Sequence, residues 1–210
     1  MRDHDDFATE PVPGLPEAPP KGETVLWQGR PQTWALAREA LGLFWVAGYF
    51  GGLAVWRAAV VSDGSAGSVV AVILPYLAIG LVTCAILLGL AFIYARTTVY
   101  TLTSARVAMR IGAALTVTLN LPYRQIANAS LDLRRGGTGT IALETLGDTR
   151  LSYLVCWPHV RPWALSRTQP ALRCIADAAQ VAQILAEAAE TRINQPVIAR
   201  QPMAMAVAAE

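Results

Sequence analysis

The feature that most constrains this chain is a pair of long apolar stretches, residues 40–56 and 69–94, that contain no charged side chain. A helix needs about 20 predominantly apolar residues to cross the hydrocarbon layer of a membrane. The second stretch has 26, and the first reaches the required length when its flanking residues are included. The alternative is a pair of core helices in a soluble protein, but charge-free runs this long leave no face for water. We therefore predict a transmembrane helical hairpin over residues 35–96, with its helices near 38–60 and 69–94.

The cations that flank the two stretches predict the orientation of the hairpin. Three precede the first helix and three follow the second, whereas the connecting segment carries one: Lys21, Arg30 and Arg38, then Arg96, Arg106 and Arg110, against Arg57. The positive-inside rule then places both termini in the cytoplasm. Three of the first six residues are aspartates and no apolar run follows them, so we expect no signal peptide. The sequence predicts a multi-pass protein of the bacterial inner membrane.

Two segments precede the hairpin. Residues 1–22 begin with four acidic side chains within the first ten positions, followed by five prolines between positions 11 and 20, a composition typical of a disordered, extended arm. The arm is either a peptide that docks on a partner or a solvated tail, and the sequence favours neither. Residues 23–34 contain a short strand that stops near Gly29 and Pro31. A strand needs a partner, so we expect it to pair with strands that follow the hairpin.

Residues 97–155 change to a period of two, which is typical of strands. Alternating segments occur at 99–109, 115–120, 126–133, 141–146 and 151–155, separated by glycine- or proline-containing turns. A single amphipathic helix follows at 177–192, with Asp177 and Gln180 in the positions of a capping box. The fold class predicted is membrane-anchored α+β, in which the hairpin is inserted into an antiparallel β-sandwich closed by a C-terminal helix. The cytoplasmic domain would occupy residues 97–194, and 195–210 would be a flexible tail.

The segment between the last predicted strand and the helix carries the candidate partner-binding residues. Trp157, His159, Arg161 and Trp163 lie within seven positions, together with two prolines. Tryptophan and arginine are the residue types most enriched at binding hot spots. The alternative is an ordered crossing loop whose tryptophans close one end of the sheet. Both interpretations remain open.

Two further groups are weaker candidates for contacts. Gly48 and Gly52 stand four residues apart in the first apolar stretch, a spacing that lets helix backbones approach closely. Their partner would be the second helix, another protein or a second copy of this chain in a homodimer. Arg134 and Arg135 form an adjacent cationic pair in a glycine-rich turn. They would contact anionic lipid or an acidic partner, or simply form a solvated hairpin tip.

The sequence offers little material for catalysis or for cofactor binding. Its net charge of +2 is too small to indicate nucleic acid. The two histidines (His4, His159) and three cysteines (Cys84, Cys156, Cys174) do not show metal-ligand spacing. Cys156 and His159 lack an evident orienting group or oxyanion site. Neither apolar stretch contains the histidine that would ligate haem iron or chlorophyll magnesium. We expect a binding module without enzymatic activity, catalytic residues, metal or cofactor.

Several short motifs resemble a known family. They are Pro-Val-Pro-Gly-Leu-Pro at 11–16, Leu-Trp-Gln-Gly-Arg-Pro at 26–31, Tyr-Thr-Leu-Thr-Ser-Ala-Arg at 100–106, Asn-Leu-Pro at 120–122, Trp-Pro-His-Val-Arg-Pro-Trp at 157–163 and Gln-Pro-Ala-Leu-Arg at 169–173. In this order, from about residue 11 to 192, the chain resembles the photosynthetic complex assembly proteins (PuhB family) of purple bacteria. The run at 157–163 is the most specific element. The motifs at 26–31 and at the start of 100–106 are shared with bacterial pleckstrin-homology-like (PH-like) membrane proteins.

The resemblance implies a PH-like fold, a strand sandwich closed by a C-terminal helix, and a non-enzymatic role. Such a protein would help to assemble the reaction centre and core light-harvesting complex 1 in the photosynthetic membrane. Its partners would be subunits of these complexes, other assembly factors and membrane lipids. Family members have two or three spans, and this sequence shows two. The alternative function is a general lipid-binding or membrane-organising PH-like protein.

Overall fold

The computed structural model describes residues 12–112, 116–134, 136–147 and 151–194. The strands are β1 (Val25–Gly29), β2 (Val99–Thr103), β3 (Arg106–Ile111), β4 (Val117–Pro122), β5 (Ile126–Leu133), β6 (Gly139–Thr145) and β7 (Ala171–Ile175). The helices are α1 (Thr33–Glu39), α2 (Leu43–Val61), α3 (Ala66–Thr97), α4 (Tyr153–Cys156) and α5 (Ala178–Ile193), with a 3-10 turn at Tyr123–Gln125.

The strands form two antiparallel sheets, one in the order β1-β2-β3-β4 and the other in the order β5-β6-β7. β1 pairs with β2, with Gly29 opposite Tyr100, although three helices separate these strands in the sequence. The sheet therefore includes the strand that precedes the helices, and α1, α2 and α3 form an insertion between two paired strands.

One hydrophobic core joins the two sheets and the C-terminal helix. Tyr100 and Met109 come from the first sheet, Leu143 and Leu172 from the second, and Val181 from α5. All five side chains are buried. Full burial of such a side chain contributes about 1.5–3 kcal/mol, so α5 is a structural part of the domain that holds the two sheets together.

α2 and α3 are long and apolar enough to cross a membrane. Only 11% and 6% of their most apolar windows are buried inside the chain, so they are not core helices of this domain. The first long helix was expected to run unbroken from about residue 38 to 60, but Gly42 separates α1 from α2 because it adopts a φ of 68°, a left-handed conformation that glycine tolerates. Arg57 lies within α2, not in the connecting loop.

The two long helices pack against each other through small residues. Ala54 and Ala58 of α2 are buried, as is Gly80 of α3. A Cβ at Gly80 would lie 2.8 Å from the Cβ of Phe50, which is closer than two side-chain carbons approach. Gly80 is therefore the glycine that this helix pair requires.

The turn between α2 and α3 is capped by polar side chains. Ser65 precedes α3, and its Oγ accepts a hydrogen bond of 3.3 Å from the backbone N–H of Ser68. The Asp63 carboxylate accepts hydrogen bonds from the hydroxyl of Ser68 and the backbone N–H of Ser65. These bonds, the one from the Ser68 side chain first, lower the pKa of Asp63 to about 2, because they favour the ionised form.

The segment before β1 differs from the prediction of a disordered arm, as far as it is described. Leu15 is buried, and Gly14 lies so close to Val99 that an added Cβ would approach its Cγ1 to 2.6 Å. The side-chain amide of Gln28 donates a hydrogen bond of 2.6 Å to the carbonyl oxygen of Pro13. This part of the arm is docked on the start of β2. Residues 1–11 and the predicted tail at 195–210 lie outside the described residues.

Two local predictions were wrong, and two elements were not anticipated. The strand expected at 151–155 is replaced by the short helix α4, and β7 and α1 were not anticipated. The capping box is not formed, because Asp177 adopts a φ of 49° and its side chain makes no cap hydrogen bond. The carboxylate of a capping residue reaches the helix N–H groups from an extended backbone, which this conformation does not provide.

Candidate functional site

The segment at residues 157–163, called here the tryptophan loop, is held against the strand that follows it. The backbone N–H of Arg161 donates to the carbonyl of Gln169 over 2.9 Å. The N–H of Ala171 donates to the carbonyl of His159, also over 2.9 Å, and Val160 forms an isolated bridge with Pro170. The Trp157–Pro158 peptide bond is cis. The loop thus has a defined backbone on the edge of β7.

His159 lies in the interior of the domain and not on the contact surface where it was predicted. Its side chain is completely buried. The Nδ1 atom is 2.6 Å from the hydroxyl of Tyr100, and Nε2 is 3.0 Å from the hydroxyl of Thr98. The Tyr100 oxygen also accepts the backbone N–H of Arg173 over 3.2 Å. The histidine therefore joins the loop to β2 and β7.

Burial keeps His159 neutral. Desolvation is the main cause that lowers its pKa to about 3, and the positive charge of Arg173 adds to the effect. A neutral imidazole has one donor and one acceptor nitrogen. This pattern is satisfied when the Tyr100 hydroxyl donates to Nδ1 and the Nε2–H donates to Thr98. Burial also raises the pKa of Tyr100, which preserves its hydroxyl as a donor.

Trp157 attaches the loop to the end of α3. Its ring centroid lies 6.1 Å from that of Tyr94, and the His159 ring lies 6.2 Å from Tyr94, both in edge-on arrangements. Such aromatic pairs contribute about 0.5–1.5 kcal/mol beyond their buried area. Trp157 therefore positions the loop beside the end of α3 that leads into the sheet.

Trp163 is the part of the loop that is open to contact. Its side chain is 91% exposed, and its backbone adopts a φ of 64°, which is rare for a bulky residue. Leu154, Val155 and Leu165 in the flanking segments are also exposed. A strained residue that presents a large apolar side chain to the surface is a candidate for function, and we take Trp163 as the centre of the candidate contact site.

Arg161, the remaining loop residue predicted to bind partners, is engaged on its own chain. Its Nη1 donates to the side-chain oxygen of Gln169 over 3.1 Å, while the residue stays exposed. The tryptophan loop thus combines both interpretations drawn from the sequence. His159 and Trp157 have structural positions, and Trp163 is presented on the surface.

Gly48 and Gly52 do not form the helix-pair interface. Both lie on exposed positions of α2, and an added Cβ at either would meet nothing within 4 Å. They share the outward face of the helix with Trp45, Tyr49 and Trp56, all exposed. The structure leaves these glycines available to something outside this chain.

Arg134 lies at the end of β5 beside two carboxylates. Its Nη2 is 3.0 Å from Asp132, and its Nε is 3.7 Å from Oε2 of Glu39. Arg135 lies outside the described residues.

A polar junction that the sequence did not reveal joins α1 to β7. Arg173 is buried, and its guanidinium donates to the carbonyls of Pro158 over 3.3 Å and Glu39 over 3.2 Å. The backbone N–H of Gln32 donates to the carbonyl of Cys174 over 2.8 Å. These residues come from segments far apart in the sequence, so no spacing pattern could have identified them.

The thiols near the site are not activated. Cys156 and Cys174 are buried and free. Burial raises the pKa of the Cys156 thiol and is the main cause that raises that of Cys174 to about 12, whereas a nucleophilic cysteine needs a lowered pKa. Among the described residues, no group of three His, Cys, Asp or Glu side chains is arranged to hold a metal ion.

Comparison with known proteins gives two matches. A model of the bacterial PH domain family matches residues 42–189. The chain is also 45% identical, over 212 aligned residues that cover 100% of this chain and 99% of the relative, to an uncharacterized 23.7 kDa protein in the puhA 5′ region of Rhodobacter capsulatus. No solved structure matches the chain significantly. Since the family model covers more than half of the sequence, including both long helices and most of the strands, the chain belongs to the bacterial PH domain family.

Proposed function

We propose that the protein is a non-enzymatic assembly factor for the photosynthetic reaction centre and its core light-harvesting complex. α2 and α3 hold it in the bacterial inner membrane, including the photosynthetic membrane, with both termini in the cytoplasm. Client subunits contact the outward face of α2 and the tryptophan loop. Other assembly factors bind the PH-like domain.

The observation that carries this proposal is the relative in the puhA 5′ region, which matches this chain over its whole length. It supports a photosynthetic context. The motif at 157–163, the most specific of those noted above, resembles the photosynthetic complex assembly family. Two observations support a binding role. The domain is PH-like, and the pKa values of the Cys156 and Cys174 thiols are raised.

The pairing of β1 with β2 supports the proposed topology. These strands flank the three inserted helices and lie side by side in one sheet, so both must be on the same side of a membrane. The chain between them then crosses the membrane an even number of times. Two crossings, by α2 and α3, fulfil this condition, and the excess of flanking cations favours the cytoplasmic side.

The outward face of α2 provides a surface for a client helix. Nothing lies within 4 Å of a Cβ added at Gly48 or Gly52, and the exposed side chains of Trp45 and Tyr49 lie on the same face. Helices in membranes associate through close backbone approach at small residues. A client helix that packs over these glycines would bury the neighbouring aromatic side chains.

The tryptophan loop provides a second contact beside the same end of the hairpin. Trp163 is an exposed rigid aromatic side chain of the kind that dominates binding energies. A factor that leaves after assembly requires a reversible contact, and a single aromatic anchor combined with one helix face fits that requirement.

The proposal is tested by mild-detergent affinity purification of the tagged protein from photosynthetically grown cells, with mass spectrometry and an absorption spectrum. We expect reaction-centre or core light-harvesting polypeptides, with near-infrared pigment bands, to copurify. A pigment-free preparation that contains phospholipid only would contradict the proposal.

The non-enzymatic part of the proposal has its own test. Replacement of Cys156 by Ala removes the thiol nearest to His159 in the sequence, and that thiol has a raised pKa. We expect the variant to support the normal amount of assembled complex, measured by the near-infrared absorbance of membranes. Loss of assembly by a folded, normally abundant Cys156→Ala protein would indicate thiol chemistry.

A further inference from the structure

An open cleft of about 610 Å³ lies where α1 ends and α2 begins. It is lined by Arg38, Glu39, Trp45 and Arg134, among others. A smaller pocket of about 250 Å³ adjoins it and shares Glu39 and Arg134 with it. Arg161 and Arg173 line this inner pocket. Four arginines thus line these two adjoining pockets, which together are called here the depression.

The depression carries an excess of positive charge. Its carboxylates are Glu39, which is 2.9 Å from Nη2 of Arg38 and 3.7 Å from Nε of Arg134, and Asp132, which is 3.0 Å from Nη2 of Arg134. Among the described residues of the two linings, four arginines against two carboxylates leave a formal charge of +2. Guanidinium groups bind phosphate oxygens in bidentate fashion, so the composition favours a phosphate-bearing ligand.

Arg173 gives an independent indication of a ligand. It is 6% exposed, and its Nε atom is buried without a hydrogen-bond partner, although both terminal nitrogens are bonded. An unpaired buried donor on a charged group is costly. An oxygen atom supplied at the inner end of the cleft would relieve this cost.

The location of the cleft identifies the source of the phosphate. Trp45 lines the cleft from the first turn of α2 and is 86% exposed. If α2 spans the membrane, this end of the helix lies at the interface, where tryptophan is enriched. A headgroup held between Arg38 and Arg134 would allow its acyl chains to follow the apolar surface of α2.

We propose that this cleft binds the headgroup of an anionic glycerophospholipid. The inference rests on the proposed insertion of α2 and α3 into a membrane, and it goes beyond the assembly function because a bound lipid would fix the height of the PH-like domain above the bilayer. The phosphodiester contacts Arg38 and Arg134 at the mouth of the cleft, and Arg161 and Arg173 supply positive charge behind them.

The test uses the full-length protein in mild detergent, titrated with phosphatidylglycerol or phosphatidylcholine and analysed by native mass spectrometry. We expect phosphatidylglycerol to bind at least about tenfold more tightly than phosphatidylcholine. Arg134→Gln alone, and together with Arg38→Gln, should lower this affinity, the double variant by roughly tenfold to thirtyfold. The side chains of Arg38 and Arg134 are 37% and 52% exposed, so neither substitution should unfold the domain, and a melting curve will verify this.

Arg167→Gln is the matched control, because it removes the same charge from an exposed residue that lines a different pocket. Equal binding of both lipids, or an equal loss in Arg167→Gln, would overturn the inference. Complete displacement of phosphatidylglycerol by millimolar inorganic phosphate would also overturn it, because the cleft would then be an ion site. If the double variant loses its client subunits but binds lipid normally, the cleft is a protein contact and the inference is wrong. Lipid selectivity without copurifying clients would contradict only the assembly function.

Discussion

At the residue scale, His159 shows that a residue in a loop with the composition of a contact surface can lie in the interior and stabilise the fold. Its ring bonds to Thr98 and Tyr100 in the interior, and its backbone carbonyl accepts the N–H of Ala171. Trp163, four positions later, is exposed. Composition identified the loop, but it could not assign these roles, since burial of a single residue depends on segments that are distant in the sequence.

The buried, neutral His159 predicts a pH dependence of stability. Its pKa is lowered from 6.5 to about 3 in the folded protein, so the unfolded chain binds a proton first as the pH falls. Protonation of the unfolded chain at His159 therefore does not lower the free energy of unfolding above pH 6.5. Between pH 6.5 and about 3 the free energy of unfolding falls, with a slope of up to about 1.4 kcal/mol per pH unit. Thermal unfolding in detergent between pH 7.5 and pH 5 measures this slope.

His159→Gln should flatten that pH dependence, because glutamine has a donor and an acceptor but does not titrate. His4→Gln is the control, since it removes the second histidine of the chain. If the wild-type slope survives in His159→Gln, another group is responsible for it.

The two tryptophans of the loop should respond differently to truncation. Trp157→Ala removes a ring that is 38% exposed and packs on Tyr94, so we expect a loss of about 1–3 kcal/mol in the free energy of unfolding. Trp163→Ala should change stability by less than about 0.5 kcal/mol and should reduce the recovery of client subunits. Paired melting curves and affinity purifications distinguish the two effects. A strongly destabilised Trp163→Ala protein would mean that Trp163 is structural.

At the scale of elements, the sequence predicted best where one physical signal was strong. The apolar stretches predicted α2 and α3, and the alternation of apolar and polar residues predicted β5 and β6. β7 was missed because all five of its residues are buried, including Arg173, so it shows no alternation. α1 and α4 have seven and four residues, too short for a helical period to be recognised.

Substitutions at two glycines distinguish packing within the helix pair from contacts with other molecules. Gly80→Leu would place a side chain against Phe50, since even a Cβ would lie 2.8 Å from that residue. We expect it to destabilise the helix pair by about 1–3 kcal/mol, measured by thermal unfolding in mild detergent. Gly48→Leu is the matched variant, because nothing lies within 4 Å of its Cβ position. We expect the Gly48→Leu protein to have an unchanged melting temperature and to copurify with a smaller amount of client subunit.

Client recovery would then decide the role of the outward face. Normal recovery with Gly48→Leu would show that this face of α2 is directed at lipid alone. Destabilisation by Gly48→Leu in the isolated protein would instead indicate a second copy of the chain packed on this face.

At the scale of the whole molecule, the docked arm connects the N-terminal segment with the junction of α3 and β2. Leu15→Ala removes a buried side chain of the docked arm and should lower the free energy of unfolding by about 2 kcal/mol or more. Glu17→Ala, at an exposed position nearby, should have little effect. Equal melting temperatures for the two variants would show that the arm contributes nothing to stability.

The pairing of β1 with β2 also imposes an order of events during synthesis. β1 leaves the ribosome before α2 and α3, and its partner strand leaves after them. The first sheet therefore cannot close until both helices have been made and, under the proposed topology, integrated into the bilayer. In chains that fail to integrate, β1 would remain unpaired. Its exposed backbone edge would promote degradation or aggregation. Under the proposed topology and function, the fold would couple membrane insertion to completion of the first sheet, so that only inserted molecules would be competent to receive a client.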